Sequence, residues 1–267
     1  MIVGQKTILE KIDKCNIDTV PRTLMLHGPR GSGKHLMCNY IADKLNLNIE
    51  DITDTITLEK IEDINNGVEP KMYIIHSDDI SIKEQNVLLK LSEEPLKNAV
   101  LIYLTENLQR LKPTVLNRCQ IWEMDCYSDD ELRQFIPRDY SGNIEDLIKV
   151  SNTPGKILIN CEQNIEDIRQ LCEKIFEKIG VANLPNALSI CDKIDFKGTD
   201  KSKYNVYLFM DIITQVSFNR CLLSLPHCIY DHMLVQKLYE EIEIIENVDK
   251  RCLFENFIIQ LKRVRNN

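Results

Sequence analysis

Apolar positions along the chain fall into two rhythms that take turns. Thr23-Leu24-Met25-Leu26-His27 has the unbroken apolar centre of a buried strand, and Leu36, Met37, Tyr40, Ile41 and Leu45 then recur at helical spacing. Met72-Tyr73-Ile74-Ile75 and Val100-Leu101-Ile102-Tyr103-Leu104 read as two further buried strands, and Ile121-Trp122 opens a fourth. Between them lie helical stretches. Ile8, Leu9, Ile12 and Cys15 share one face in the first 20 residues. Val87, Leu88 and Leu91 mark a helix over 82–91 with Pro95 beyond its end, and Pro113 opens a short helix through Leu116. Residues 46–70 are polar and end at Gly67 and Pro70, which predicts an irregular connection. Strands alternating with helices predict an α/β fold, a parallel sheet with helices on both faces and ligands at the carboxyl ends of the strands.

Past residue 127 the strand signal disappears. Ser128-Asp129-Asp130-Glu131 has the spacing of a capping box, and Thr153-Pro154-Gly155 reads as another helix start, with Thr153 as cap and Pro154 in the first turn. From about 165 onward the rhythm is helical, as in Leu234, Leu238, Ile242 and Ile245, with Pro185, Pro226 and the polar run 197–203 marking loops. The predicted layout is an α/β domain over 1–126, a small helical lid over 127–163 and an all-helical end domain over 164–267.

Composition narrows the partners. The chain has 267 residues, 43% hydrophobic and 28% charged, which indicates folded domains rather than disorder. Its formal net charge of −8 argues against a free nucleic-acid binder, so any DNA contact is expected as a local patch or one shared with partner subunits. The ten cysteines include no C-x-x-C pair and their spacings follow no zinc pattern, so no zinc site is expected. Cys15, Cys38, Cys119 and Cys126 are expected as reduced, mostly buried thiols of a cytoplasmic protein. The sequence shows no signal peptide and no apolar run of membrane-spanning length, so no membrane partner is expected.

The candidate chemistry sits between the first strand and its helix. Gly28-Pro29-Arg30-Gly31-Ser32-Gly33-Lys34-His35 fits the phosphate-loop pattern G-x-x-x-x-G-K-[ST] everywhere but the last position. Glycines let main-chain N–H groups converge on a phosphate, the helix start adds partial positive charge, and Lys34 adds a full one. Gly28, Gly31, Ser32, Gly33, Lys34 and His35 are therefore the expected nucleoside triphosphate-binding residues. A Ser or Thr at position 35 would offer an oxygen to Mg²⁺; the imidazole of His35 does not, which puts Mg²⁺ binding and efficient hydrolysis in doubt.

Three further segments carry a family resemblance. Asn86-Val87-Leu88-Leu89-Lys90-Leu91-Ser92-Glu93-Glu94-Pro95 is similar to an N-x-L-L-K-x-x-E-E-P signature, Thr114-Val115-Leu116-Asn117-Arg118-Cys119-Gln120 to a T-x-x-S-R-C-Q segment, and Val3-Gly4-Gln5 to the entry of the nucleotide domain. With these the chain resembles AAA+ clamp-loader subunits, those of the delta-prime type most, over roughly residues 1–160; the rest matches only in length and helical character.

The resemblance implies a subunit of a heteropentameric machine that uses ATP to place a sliding clamp on primer-template DNA, with a collar formed by the end domains. It makes Arg118 an arginine finger for the neighbour's ATP, in a motif where Asn117 replaces the usual serine. A guanidinium against a γ-phosphate is worth about 10³–10⁵ in rate. It adds Val3 to the nucleotide site and Thr105 as a γ-phosphate sensor, with Lys156 near a second sensor. Active relatives run the strand at 72–75 into Asp-Glu; here His76 and Ser77 take those places, and Asp78 and Asp79 come two positions late. His76 then reads as a plain strand-end histidine. Glu93-Glu94-Pro95 reads as structural, and the basic end Lys262, Arg263 and Arg265 as a frayed, solvated tail.

Three functions stay open from the sequence. One is a scaffold subunit that can hold ATP and donates Arg118. Another is an active ATPase subunit with Asp78 or Asp79 on the metal. The third is a P-loop small-molecule kinase.

Overall fold

The computed structural model describes residues 2–93, 98–200, 202–244 and 248–266. The helix stop expected at Pro95, with Glu94 before it, and the last apolar position of the C-terminal rhythm, Ile245, lie outside the described residues.

By its internal contacts the chain divides into two compact units: Met1–Phe135 with Asn152–Ile157, and Ile136–Ser151 with Leu158–Asn267. The first begins with α1 (Lys6–Asp13), β1 (Thr23–His27) and α2 (Lys34–Leu45). There follow β2 (Asn48–Asp51), α3 (Leu58–Asn66), β3 (Lys71–His76), α4 (Ile82–Glu93) and β4 (Ala99–Thr105). The unit continues through α5 (Pro113–Leu116), β5 (Gln120–Glu123) and α6 (Asp129–Arg133).

The five strands form one sheet in the order β2-β3-β4-β1-β5, every pair parallel. β4 lies between β3 and β1 and is buried along its whole length, as a central strand covered on both faces must be. The period-two alternation sorts the core. Leu24, Leu26, Met72, Ile74, Val100, Ile102 and Trp122 pack with Ile8 and Ile12 of α1 and with Met37, Cys38 and Ile41 of α2. Met25, Tyr73, Ile75, Leu101 and Tyr103 pack with Ile61 and Ile64 of α3, Leu88 and Leu91 of α4 and Val115 of α5.

One sequence expectation fails here. Residues 46–70 are not an irregular connection: they hold β2, a 3₁₀ turn at Thr53–Thr55 and α3. β2 is an edge strand with no fully buried residue, so it shows no apolar rhythm. α3 buries only Ile61 and Ile64, and its start is fixed by Thr57, whose hydroxyl accepts from the Lys60 N–H. The capping box at Ser128 is formed as expected and starts α6.

α7 (Ile144–Val150) belongs to the second unit, and α8 (Pro154–Asn160) runs across the division between the two. The second unit then holds α9 (Ile165–Lys178), α10 (Leu184–Leu188), α11 (Val206–Leu222), α12 (Cys228–Ile244) and α13 (Lys250–Asn266). α11 is its centre. Leu208, Phe209, Met210, Ile212, Ile213 and Val216 are all buried, and the helix packs against α7, α9 and α12. The expected all-helical character holds but for two-residue strands β6 (Ile194–Asp195) and β7 (Tyr204–Asn205), which pair in parallel.

The basic end is not a frayed tail. α13 continues to Asn266, and Lys262 Nζ donates to the carbonyls of Ile179, Gly180 and Ala182 just past α9. Arg265 Nη2 donates to the Phe176 carbonyl and, at 2.6 Å, to Oδ2 of the fully buried Asp231. Two cations pinned by carbonyls and a buried carboxylate hold the last turn in place.

All ten cysteines are free thiols; Cys38 is buried and Cys15 and Cys119 are half-buried, but Cys126 is exposed, against expectation. No helix among the described residues is long and apolar enough to cross a membrane.

Candidate nucleotide-binding site

The loop between β1 and α2 lies where the sheet's carboxyl ends converge. His27 and Thr105 are register partners, the Gly28 N–H donates to the Thr105 carbonyl at 3.1 Å, and His76 ends β3 opposite Leu104. Gly33 is the N-cap of α2 in the left-handed region, φ +91°, and no side chain caps the helix. The first-turn N–H groups of α2 have no intrahelical acceptor by geometry, so the turn presents donors and positive dipole to an anion. The Ser32 hydroxyl is buried without a partner.

Lys34 folds back over the loop. Its Nζ donates to the carbonyls of Gly28 at 2.7 Å and Pro29 at 3.0 Å, and Glu106 Oε1 lies 4.0 Å away. Burial lowers the Lys34 pKa, opposed by the charges of Glu106 and Asp78. Burial in turn raises that of Glu106, opposed by Lys34.

The back of the loop is braced by residues far along the chain. Tyr127 donates its hydroxyl to the Ser32 carbonyl at 2.8 Å, and Thr153 donates to the Arg30 carbonyl at 2.8 Å. The Gly155 N–H donates to the Gly31 carbonyl at 3.0 Å. A Cβ on Gly31, whose φ is +78°, would stand 2.8 Å from Thr153 Oγ1 and 2.9 Å from Gly155 Cα, so only glycine fits. Thr153 does cap α8, accepting from the Lys156 N–H at 3.4 Å, but its contact with the loop was not visible in the sequence. Nor was that of Tyr127, since neither carries a motif.

The positions where an oxygen-rich metal site would be expected hold other chemistry. His35, on the first turn of α2, is exposed, and its Nε2 lies 3.0 Å from Nε2 of His76. Burial, then the His76 charge, lowers the His35 pKa. Asp51, at the end of β2, brings Oδ2 to 3.2 Å from His76 Nε2. Burial raises the Asp51 pKa, but bonds from the Thr53 N–H and hydroxyl outweigh it and hold the carboxyl below its usual range. Ser77 is buried and donates its hydroxyl to the Leu104 carbonyl at 2.8 Å.

Asp78 faces the loop after β4. Its carboxylate accepts from Thr105 Oγ1 at 3.0 Å and from the N–H groups of Glu106 and Asn107 at 2.7 and 3.4 Å. Asp79 is exposed in a turn whose N–H donates to the His76 carbonyl. Thr105, fully buried, thus has its hydroxyl on Asp78. Arg118 lies exposed between α5 and β5, and its Nη1 donates to the Thr114 carbonyl at 3.0 Å. Val3 is half-buried, two residues before Gln5, whose amide makes two bonds with the Asp125 main chain. Among the described residues no group of three or more His, Cys, Asp or Glu is placed to hold a metal ion by itself.

The backbone of the first unit and its glycine loop define an α/β fold of the AAA+ class, here followed by a helical part. The Holliday junction branch migration motor RuvB of Thermotoga maritima superposes with a TM-score of 0.52 over 95% of this chain and 88% of that one, at 17% identity. A single-substitution variant of that motor gives 0.53 at 16% identity over the same shares. At such identity the likeness is one of fold. Within the class, the chain resembles the delta-prime clamp-loader subunit of bacterial DNA polymerase III. A family model described as DNA polymerase III, delta subunit, matches residues 44–127. The DNA polymerase III subunit delta' of Bacillus subtilis (strain 168) is 45% identical over 51 residues, which are 19% of this chain and 16% of that protein. The matched stretch thus spans about a sixth of the relative's length.

Proposed function

We propose that this chain is a clamp-loader subunit of the delta-prime kind, which holds a nucleoside triphosphate on its loop with little or no turnover and supplies Arg118 to a neighbouring subunit's ATP. In this reading the N–H groups of the α2 first turn and Lys34 take the phosphates, with Val3 near the base. The other clamp-loader subunits of a heteropentamer, a sliding clamp and primer-template DNA are its partners, in the cytoplasm. The division into a nucleotide domain, a lid over 127–163 and a collar over 164–267 belongs to the same proposal.

One observation carries the reading. The residues at the expected metal positions fit Mg²⁺ poorly: His35 and His76 present ring nitrogens to each other, and the Ser77 hydroxyl is spent on a main-chain carbonyl. Mg²⁺ requires a near-octahedral shell of oxygens. An active ATPase subunit would have to draw a carboxylate from Asp78, which is engaged by three donors at and just past the end of β4, or from the exposed Asp79. A small-molecule kinase finds no support in the family match over residues 44–127.

Arg118→Ala tests the finger in the reconstituted loader. Nucleotide binding by this subunit is expected to stay unchanged, while hydrolysis at the neighbouring subunit's site falls by about 10³-fold and the steady-state rate of the assembly drops with it. An assembly rate equal to wild type would remove Arg118 from the role.

A further inference from the structure

We propose that His35 and His76 form a two-histidine binding site for a divalent transition-metal ion of the zinc type, at the mouth of the phosphate loop. The proposal stands on the placement of two rings and does not depend on the clamp-loader reading.

Three features point to it. The two Nε2 atoms come from different elements, the first turn of α2 and the last residue of β3, and meet at 3.0 Å. Two imidazole nitrogens on one metal, each about 2.0–2.1 Å from it, lie roughly 2.9–3.4 Å apart.

The inclination of the rings is the second feature. Their centroids are 4.7 Å apart at an interplanar angle of 39°. An end-on N–H···N hydrogen bond at this separation would place the centroids roughly 5.3 Å apart. Rings converging on a shared metal at angles between square and tetrahedral would have centroids roughly 4.5–5.2 Å apart. The observed 4.7 Å falls within the second range and short of the first.

The third is the setting. Asp51 Oδ2 stands 3.2 Å from the same His76 nitrogen, and Asp51 is itself fixed by Thr53. Thr53 Oγ1 also accepts the His76 main-chain N–H at 2.9 Å, so the carboxylate and one ring are held by the same turn. Because Asp51 meets the same Nε2 that would hold the ion, it serves as a counter-charge to the metal rather than as the partner of the ring's other nitrogen.

Two imidazoles beside one carboxylate form a borderline nitrogen-rich set, suited to Zn²⁺, Co²⁺ or Ni²⁺ and poor for Mg²⁺. The protein gives two ligands. Because His35 is exposed, water or an anion's oxygens can complete the shell. That is consistent with the absence of a three-residue cluster among the described residues.

The test is titration of tag-free, chelator-stripped full-length protein with Co²⁺, read by visible d–d absorption and calorimetry, with Zn²⁺ as competitor. One equivalent is expected to bind, to be displaced by Zn²⁺, to leave the near-ultraviolet thiolate-to-cobalt band absent, and to weaken at least about tenfold in both His35→Gln and His76→Gln. Far-ultraviolet circular dichroism verifies that both variants are folded; if one is not, His35→Ala or His76→Asn replaces it. Three results overturn the proposal: no binding at tens of micromolar metal, equal affinity in the folded variants, or a thiolate band showing that cysteines are the ligands.

Discussion

Gly31 sits where three pieces of chain touch, and its missing side chain decides whether they can. Gly31→Ala meets both a left-handed backbone and two atoms under 3.0 Å from the new methyl. A cost of about 2–4 kcal/mol is expected, the sum of backbone strain and overpacking. Denaturant titration checks it, and an unchanged midpoint would show that the brace from Thr153 and Gly155 is absent. Glu106 gives a pH-dependent counterpart. Burial raises its folded pKa above the unfolded value, so its contribution to stability is full below about pH 4.3 and is lost as pH rises through the folded pKa. Glu106→Gln does not ionise, so its stability relative to wild type should climb from pH 4 to pH 7. A flat difference between the two pH values would contradict the shift. At this scale the loop itself was legible, because its glycines and lysine are spaced by main-chain geometry. The meeting of His35 with His76 was not, since they are 41 residues apart and only the parallel register brings the end of β3 beside the start of α2.

Among the elements, those with a buried rhythm were readable and those at the edge were not. β1, β3 and β4 declared themselves because a strand covered on both faces needs apolar residues throughout. β2 hid because it is an edge strand whose residues stay largely in contact with water, and α3 because two isoleucines make too thin a stripe. The Thr57 cap three residues before Lys60, followed by Ile61 and Ile64, was the available signal for α3. α13 was misread at its end for a different reason. Its last cations look like a solvated tail until Asp231 and the carbonyls after α9 are found beneath them, and those are tertiary partners. Arg265→Ala should therefore destabilise the second unit by about 3 kcal/mol, because it removes the closest cation from a carboxylate with no exposure to solvent. Thermal unfolding measures this, and a loss under a few tenths of a kcal/mol would mean that Arg220, 4.0 Å from the same oxygen, suffices alone.

For the whole chain, the sequence carries the class further than the activity. The alternation of strands and helices was enough to anticipate the parallel sheet, and the motifs at 86–95 and 114–120 were enough to anticipate the resemblance that the match over residues 44–127 supports. The proposed use of a nucleotide depends on which groups surround the mouth of the loop, and there the tertiary structure adds facts that spacing cannot supply. Asp78, the carboxylate an active enzyme would call upon, is occupied by Thr105, Glu106 and Asn107. Lys34 waits on the carbonyls of its own loop, from which a phosphate would have to draw it. The proposed function is that of a loop that grips phosphate on a subunit poorly equipped to hold Mg²⁺ with oxygen. The most direct test is to measure ATP binding and steady-state hydrolysis of the purified chain alone, in excess Mg²⁺, beside Lys34→Ala. Binding that weakens in the variant, with hydrolysis at background in both, is the predicted result. Sustained turnover by the lone wild-type chain that disappears in Lys34→Ala would contradict it.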